Sequence, residues 1–295
     1  MGSLTREEAV LRDRLRLDAS GRSRCGDSAT ILDAAAALIA TGDSELVNEL
    51  LVSGFLRDSG ERYERYIKWQ MQSMPGASFA MGTDEANARH FCGESPRHVV
   101  SLSPYTIGAY PVTNELFGLL DRRADLPARE RHKPVVDVTW FDAALFAMWV
   151  GCRLPTEAEW EYVCAAEGEG EWCCEDESDL RRYAWYSENS RGELRPVGMR
   201  KPSRLGVFDM HGNVWEWCED DYDARFYERS PSIDPVCRLE AAEGRVHHKV
   251  SRGGSVHSLA EMCRTCYRLH EAPDFSAFDL GFRLARDAVA DDPGA

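Results

Sequence analysis

The spacing of apolar positions changes near Met74. Before it, the period is helical. Ala9, Leu11, Leu15 and Leu17 lie in a charged stretch, and Ala29–Ala40 reads as a helix capped by Asp27 or Ser28 and ended at Gly42. Glu45–Leu56 reads as a second helix, with Val47, Leu50, Leu51 and Phe55 on one face and Asp43 or Ser44 as its cap. Tyr63, Tyr66, Ile67 and Met71 extend the helical pattern towards the next segment. After Met74 the elements shorten. Phe79–Gly82 and His98–Leu102 alternate like strands, as do Val250–Ser255 and Gly281–Ala285. Thr113 is placed to cap a helix over Glu115–Leu120. Thr139-Trp-Phe-Asp142 and Thr156-Glu-Ala-Glu159 read as capping boxes ahead of Ala143–Val150 and Trp160–Ala166. Residues 167–182 and 219–249 read as long irregular stretches. A few short helices among short strands and long loops predict an α+β domain over residues 70–287, a helical appendage over 1–69 and a tail over 288–295.

Charge narrows the partners. With 35 Lys+Arg against 50 Asp+Glu, the net charge is −15. Such an acidic protein predicts a basic protein partner and argues against nucleic acid and anionic membrane, both of which need a basic face. The N-terminus becomes charged at Arg6, and no apolar run reaches signal-peptide or membrane-spanning length, so the expectation is a cytoplasmic chain. The ten cysteines follow no disulfide-framework spacing and are expected as thiols. Cys152 and Cys164 read as core packing. Cys263-Arg-Thr-Cys266 is a C-x-x-C without a second pair, and its flanks look extended.

Four blocks stand in order along the chain. They are Met74-Pro-Gly-Ala-Ser-Phe-Ala-Met-Gly82; Val138-Thr-Trp140 with Arg153-Leu-Pro-Thr-Glu-Ala-Glu-Trp-Glu161; Gly206-Val-Phe-Asp-Met-His-Gly-Asn-Val-Trp-Glu-Trp217; and Arg252-Gly-Gly-Ser255 with Arg264-Thr-Cys-Tyr-Arg268 and Gly281-Phe-Arg283. Together they resemble the formylglycine-generating enzyme (sulfatase-modifying factor) family. The resemblance implies a C-type-lectin-like fold of the formylglycine-generating enzyme type, with little regular secondary structure. Trp140, Trp149, Trp160, Trp215 and Trp217 would supply buried area where regular elements are few. Glu157, Glu159 and Glu161 form a carboxylate cluster open to acid–base work. However, the capping box accounts for Glu159, and all three suit the positive end of a helix. Arg153, Arg252, Arg268 and Arg283 can bind an anionic ligand, or form buried carboxylate pairs that tie loops together, which is the stronger reading.

The family's enzymes oxidise a substrate cysteine with copper held by two cysteines five residues apart, just after the Gly-Gly-Ser turn. Two thiolates suit Cu(I). Counting forward from Ser255, the first position holds Ser258 and the second Cys263. Counting back from Gly281-Phe-Arg283, Cys263 falls outside the copper loop. Either way the pair is incomplete, which argues against copper-thiolate oxidation; Cys263 and Cys266 are catalytic candidates only under an altered metal-dependent chemistry using copper or iron. Iron-dependent sulfoxide synthases share the fold and take a histidine triad largely from a helical domain, but no histidine precedes His90 here. His247, His248, His257 and His270 remain as candidate ligands, and His211 reads as a packing residue. The resemblance also implies calcium at Asp209, Gly212, Val214 and Glu216, a hard oxygen set. The alternative is a capped turn with Glu216 paired to an arginine.

Relatives without the cysteine pair use the scaffold as a binding or regulatory module, such as ligand-display or toxin-neutralising immunity proteins. On that reading the acidic loop with Glu175, Asp176 and Glu177, and the aromatic segment with Tyr222, Phe226 and Tyr227, are the expected partner contacts.

Overall fold

The computed structural model describes residues 70–84, 93–121, 126–166, 168, 170–174, 176–240 and 247–288. The helices expected within residues 1–69 lie outside the described residues, as do Glu175 and most of the expected tail. In chain order the strands are β1 (Met71–Met74), β2 (Ala77–Met81), β3 (His98–Leu102), β4 (Tyr105–Gly108), β5 (Trp215–Asp221), β6 (Lys249–Arg252), β7 (Arg268–Glu271), β8 (Leu280–Phe282) and β9 (Ala285–Asp287). The helices are α1 (Asn114–Asp121), α2 (Ala128–Arg131), α3 (Trp140–Trp149), α4 (Glu157–Ala165), α5 (Glu177–Leu180) and α6 (Ser187–Ser190).

Three small sheets form. β1, β4 and β9 make one, with antiparallel pairing throughout, and β2 and β3 make an antiparallel hairpin. The third runs β7-β6-β5-β8, with only the β5–β8 pair parallel. α4 packs against β2, β3, β5 and β6 and anchors the centre. Its start is fixed by sequence: the Thr156 hydroxyl accepts from the Glu159 amide (3.1 Å), and the Glu159 carboxylate accepts from the Thr156 amide (2.8 Å). The same logic starts α3, where the Asp142 amide donates to Thr139 Oγ1 (3.1 Å) and Asp142 Oδ2 accepts from the Thr139 amide (2.9 Å). The core joins Met74, Val100, Leu102, Ile107, Trp160, Val163 and Val250. Trp140, Trp160, Trp215 and Trp217 are buried as expected; the Trp149 side chain lies outside the described set.

Ionic ties take the place of a larger apolar core. Arg268 binds Glu157 through two donors (2.6 and 2.8 Å), and Arg283 binds Glu216 likewise (2.5 and 2.6 Å). Arg252 meets both Glu161 and Glu157, and Arg264 holds Glu94 (3.0 Å twice). Each partner is buried. Arg153 pairs with Glu159 and Asp287 nearer the surface. The loop-tying arginines expected from the sequence are therefore present.

Three expectations are corrected. Residues 219–221 read as the start of an irregular stretch, yet they complete β5: Asp220 and Asp221 are buried, the first accepting from the Glu157 and Cys237 amides and the second paired with Lys249. The strand expected over Gly281–Ala285 is split into β8 and β9 around Arg283, whose side chain enters the core. The strand expected through Ser255 stops at Arg252, because Gly253 and Gly254 take positive φ (101° and 76°).

Candidate functional site

The site is built on the turn that follows β6. A Cβ on Gly254 would lie 2.6 Å from Cys263 Sγ, so only glycine lets the turn close on that thiol. The turn then locks through hydroxyls. The Ser255 amide donates to Ser258 Oγ (2.9 Å), the His257 amide donates to Ser255 Oγ (3.2 Å), and Ser255 Oγ donates to Asp279 Oδ2 (2.6 Å). Ser258, at the first of the two expected cysteine positions, is thus a buried turn-closing residue.

Cys263 ends a short 3₁₀ turn, Ala260–Cys263, which corrects the expectation of an extended flank. Its thiol is fully buried in an apolar cluster with Trp172, Leu180, Ala184, Tyr186 and Ala260. Burial alone pushes its pKa up to about 12. Cys266 does not join it. Its sulfur meets Glu94 Oε2 (3.3 Å) and Arg264 Nη1 (3.2 Å), and burial, with Glu94 beside it, raises this thiol strongly. The C-x-x-C therefore sends its sulfurs into different surroundings. A Cu(I) site needs two thiolates on one ion; counted forward from Ser255, the first position offers a hydroxyl and the second a thiol, a donor set that does not fit a two-thiolate copper site.

His211 lies beneath this turn. The Cys173 amide donates to its Nε2 (3.1 Å), so the ring proton sits on Nδ1, which donates to the Cys263 carbonyl (2.7 Å). Burial lowers its pKa to about 4, against the raising effect of that hydrogen bond. With both nitrogens engaged, His211 is the packing residue the sequence suggested. It pins the acidic loop to Cys263. Among the other candidate histidines, His248 and His270 meet (Nδ1 to Nδ1, 2.9 Å), with Tyr222 stacked on His270. His257 instead lies edge-on to Phe278, and no described group of three or more His, Cys, Asp or Glu converges as a metal cluster.

The calcium candidates divide. Asp209 is buried in a left-handed conformation (φ 56°); its Oδ2 accepts from the Gly198 amide (2.7 Å), and Oδ1 has no partner among the described residues. Burial raises its pKa to about 6. Glu216, however, has both oxygens committed to Arg283, and Oε2 also accepts from Trp160 Nε1 (2.8 Å). The Gly212 carbonyl accepts from the Val214 amide (2.9 Å). Glu216 is thus arginine-paired, while Asp209 keeps one buried oxygen without a partner among the described residues.

The expected partner contacts also separate. Asp176 is exposed and caps α5, accepting from the Ser178 amide (2.8 Å), and Glu177 is exposed beside it. Tyr222 and Phe226 are half-buried against the core. Tyr227 is corrected: only 2% exposed, it packs on His98 with Arg268 over its ring, so its face is not offered to a partner. Its place in an aromatic, charged segment masked this, since the buried Arg268–Glu157 pair that attracts it is remote in sequence. The sequence reading missed an exposed apolar rim beside the turn. Leu259 is 54% exposed and Phe278 62%, with His257, two residues before Leu259, edge-on to Phe278. Large exposed apolar side chains next to a glycine turn were the available signal.

Small sheets held by internal ion pairs and crowned by long loops define a C-type-lectin-like domain of the formylglycine-generating enzyme type. Residues 61–288 match the model of the sulfatase-modifying factor enzyme 1-like domain, and the chain belongs to that family. A formylglycine-generating enzyme of Streptomyces coelicolor is 30% identical over 293 residues, covering 73% of this chain and 88% of its own. An inactive C-alpha-formylglycine-generating enzyme 2 of Bos taurus is 27% identical, covering 74% of this chain and 88% of its own. Serine/threonine-protein kinase Pkn1 of Chlamydia trachomatis is 30% identical over 83% of this chain, which spans only 42% of that protein. Two solved structures share the fold: Treponema denticola variable protein 1 (TM-score 0.65, 26% identity, 74% of this chain and 95% of that one) and PvdO from Pseudomonas aeruginosa (TM-score 0.66, 26% identity, 74% and 94%).

Proposed function

We propose that this chain has lost copper-thiolate oxidase chemistry and acts as a protein-binding or regulatory module. The observation that carries the reading is the pair Ser258 and Cys263. A turn-closing hydroxyl stands where the first thiolate is needed, and the second thiol is buried with its pKa pushed up to about 12. A family that includes a relative named inactive supports it. The contact surface is then the exposed rim of Leu259 and Phe278, together with Asp176 and Glu177 in the loop that His211 pins.

The competing reading is a metal-dependent, oxygen-using oxidoreductase, which the Streptomyces relative favours. Copper decides between them. Titrating the reduced full chain with Cu(I) against a chromogenic chelator, and following oxygen uptake with a cysteine-containing peptide, is expected to give no stoichiometric copper and no peptide-dependent uptake. One tightly held copper with turnover of the peptide would refute the binding reading.

A further inference from the structure

Within this acidic molecule one stretch is strongly basic. Residues 181–204 carry six arginines and one lysine against two glutamates. Folding gathers it: the Lys201 amide donates to the Arg182 carbonyl (2.9 Å), closing the stretch on itself. At its centre is Trp185. The guanidinium carbon of Arg200 lies 3.6 Å from the Trp185 ring centroid, and that of Arg195 lies 5.1 Å from it. This is cation–π stacking by two like charges on one indole.

The donors around this ring are poorly satisfied. Trp140, Trp160, Trp172 and Trp217 each donate their Nε1 to a carbonyl or carboxylate. Trp185 Nε1 is buried with no partner among the described residues, and so are Arg195 Nε and Arg200 Nε. Arg195 reaches the Ser190 carbonyl (2.6 Å) and, loosely, the exposed Glu193 (3.5 Å). Arg200 has no ion pair to any described carboxylate, unlike Arg252, Arg264, Arg268 and Arg283. Partial burial and the neighbouring Arg195 lower its pKa. A half-buried, stacked guanidinium with a buried, unpartnered Nε has donor capacity left for an anion.

We propose that Arg200 and Arg195, mounted on Trp185, form a binding site for a phosphate monoester. A carboxylate matches one guanidinium fork. A phosphate monoester brings a charge of about −1.5 to −2 and three acceptor oxygens, enough for two. Extended nucleic acid fits less well. It needs many phosphate contacts along a basic track, and here the aromatic face that would stack a base is already covered by Arg200.

The test uses the full chain and a fluorescein-labelled Gly-Gly-phosphoserine-Gly-Gly peptide in 150 mM salt, followed by anisotropy. Saturable binding displaced by inorganic phosphate is expected. Arg200→Gln should weaken it at least tenfold, with Arg200→Lys in between. If free O-phosphoserine competes as well as the peptide, the ligand is a small phosphate monoester; a tenfold preference for the peptide assigns a phosphorylated protein. Equal binding of the same peptide with glutamate, tighter binding of single-stranded RNA, or an unchanged affinity in Arg200→Gln would each overturn the site. Should Arg200→Gln fail to fold, Arg195→Gln and the phosphate-induced rise in wild-type melting temperature at matched ionic strength carry the same decision. No rise then counts against the proposal.

Discussion

His211 exemplifies how one side chain can join regions that sequence cannot see as neighbours. It links the loop at Cys173 to the 3₁₀ turn at Cys263, and its neutral state is fixed by which nitrogen accepts and which donates. Its pKa falls from 6.5 unfolded to about 4 folded. The stabilisation is complete above 6.5 and is lost as the pH drops towards 4. The fold therefore loses about 3 kcal/mol from this residue across that interval. Asp209 and Asp220, raised by burial to about 6 and about 7, slope the other way, losing stabilisation as pH rises. The measurement is consequently a difference. Urea unfolding of His211→Gln and wild type between pH 7 and 4 should show the variant losing less stability on acidification; parallel curves would reject the role given to His211. Sequence indicated a packing residue here, but not its two partners, because both lie in segments without local pattern.

At the scale of elements, capping chemistry was legible and internal charge was not. Thr139 and Thr156 mark α3 and α4 because a cap is a contact within three residues. The end of β5 was missed because alternation assumes that acids face water, yet Asp220 is buried there, and in the same strand Glu216 faces Arg283 across 67 residues. That pair ties β5 to the junction between β8 and β9. Arg283→Met should destabilise by about 3–5 kcal/mol, since it leaves a buried carboxylate uncompensated. The double variant Arg283→Met with Glu216→Leu should recover part of that loss. Denaturant titration of the two variants checks it, and equal losses would mean the pairing contributes nothing specific. The expected Tyr227 contact failed for a related reason: its ring is drawn inward by an ion pair whose members lie far apart in the chain.

For the whole molecule, the order of four sequence blocks revealed the family and the fold, while the long loops carried little pattern. The net charge of −15 described an average and concealed the basic stretch around Trp185. The resemblance, for its part, implies calcium at Asp209 and Glu216. With both Glu216 oxygens bound to Arg283, calcium chelation should leave the melting temperature unchanged. A drop of several degrees with EGTA, reversed by added calcium, would show that an ion holds this region.

The buried ties reach far along the chain: Arg264 to Glu94 spans 170 residues and Arg268 to Glu157 spans 111. A frame cross-braced from within does not depend on its outer loops for shape. Natural selection can rewrite those loops wholesale while the girders beneath stay put.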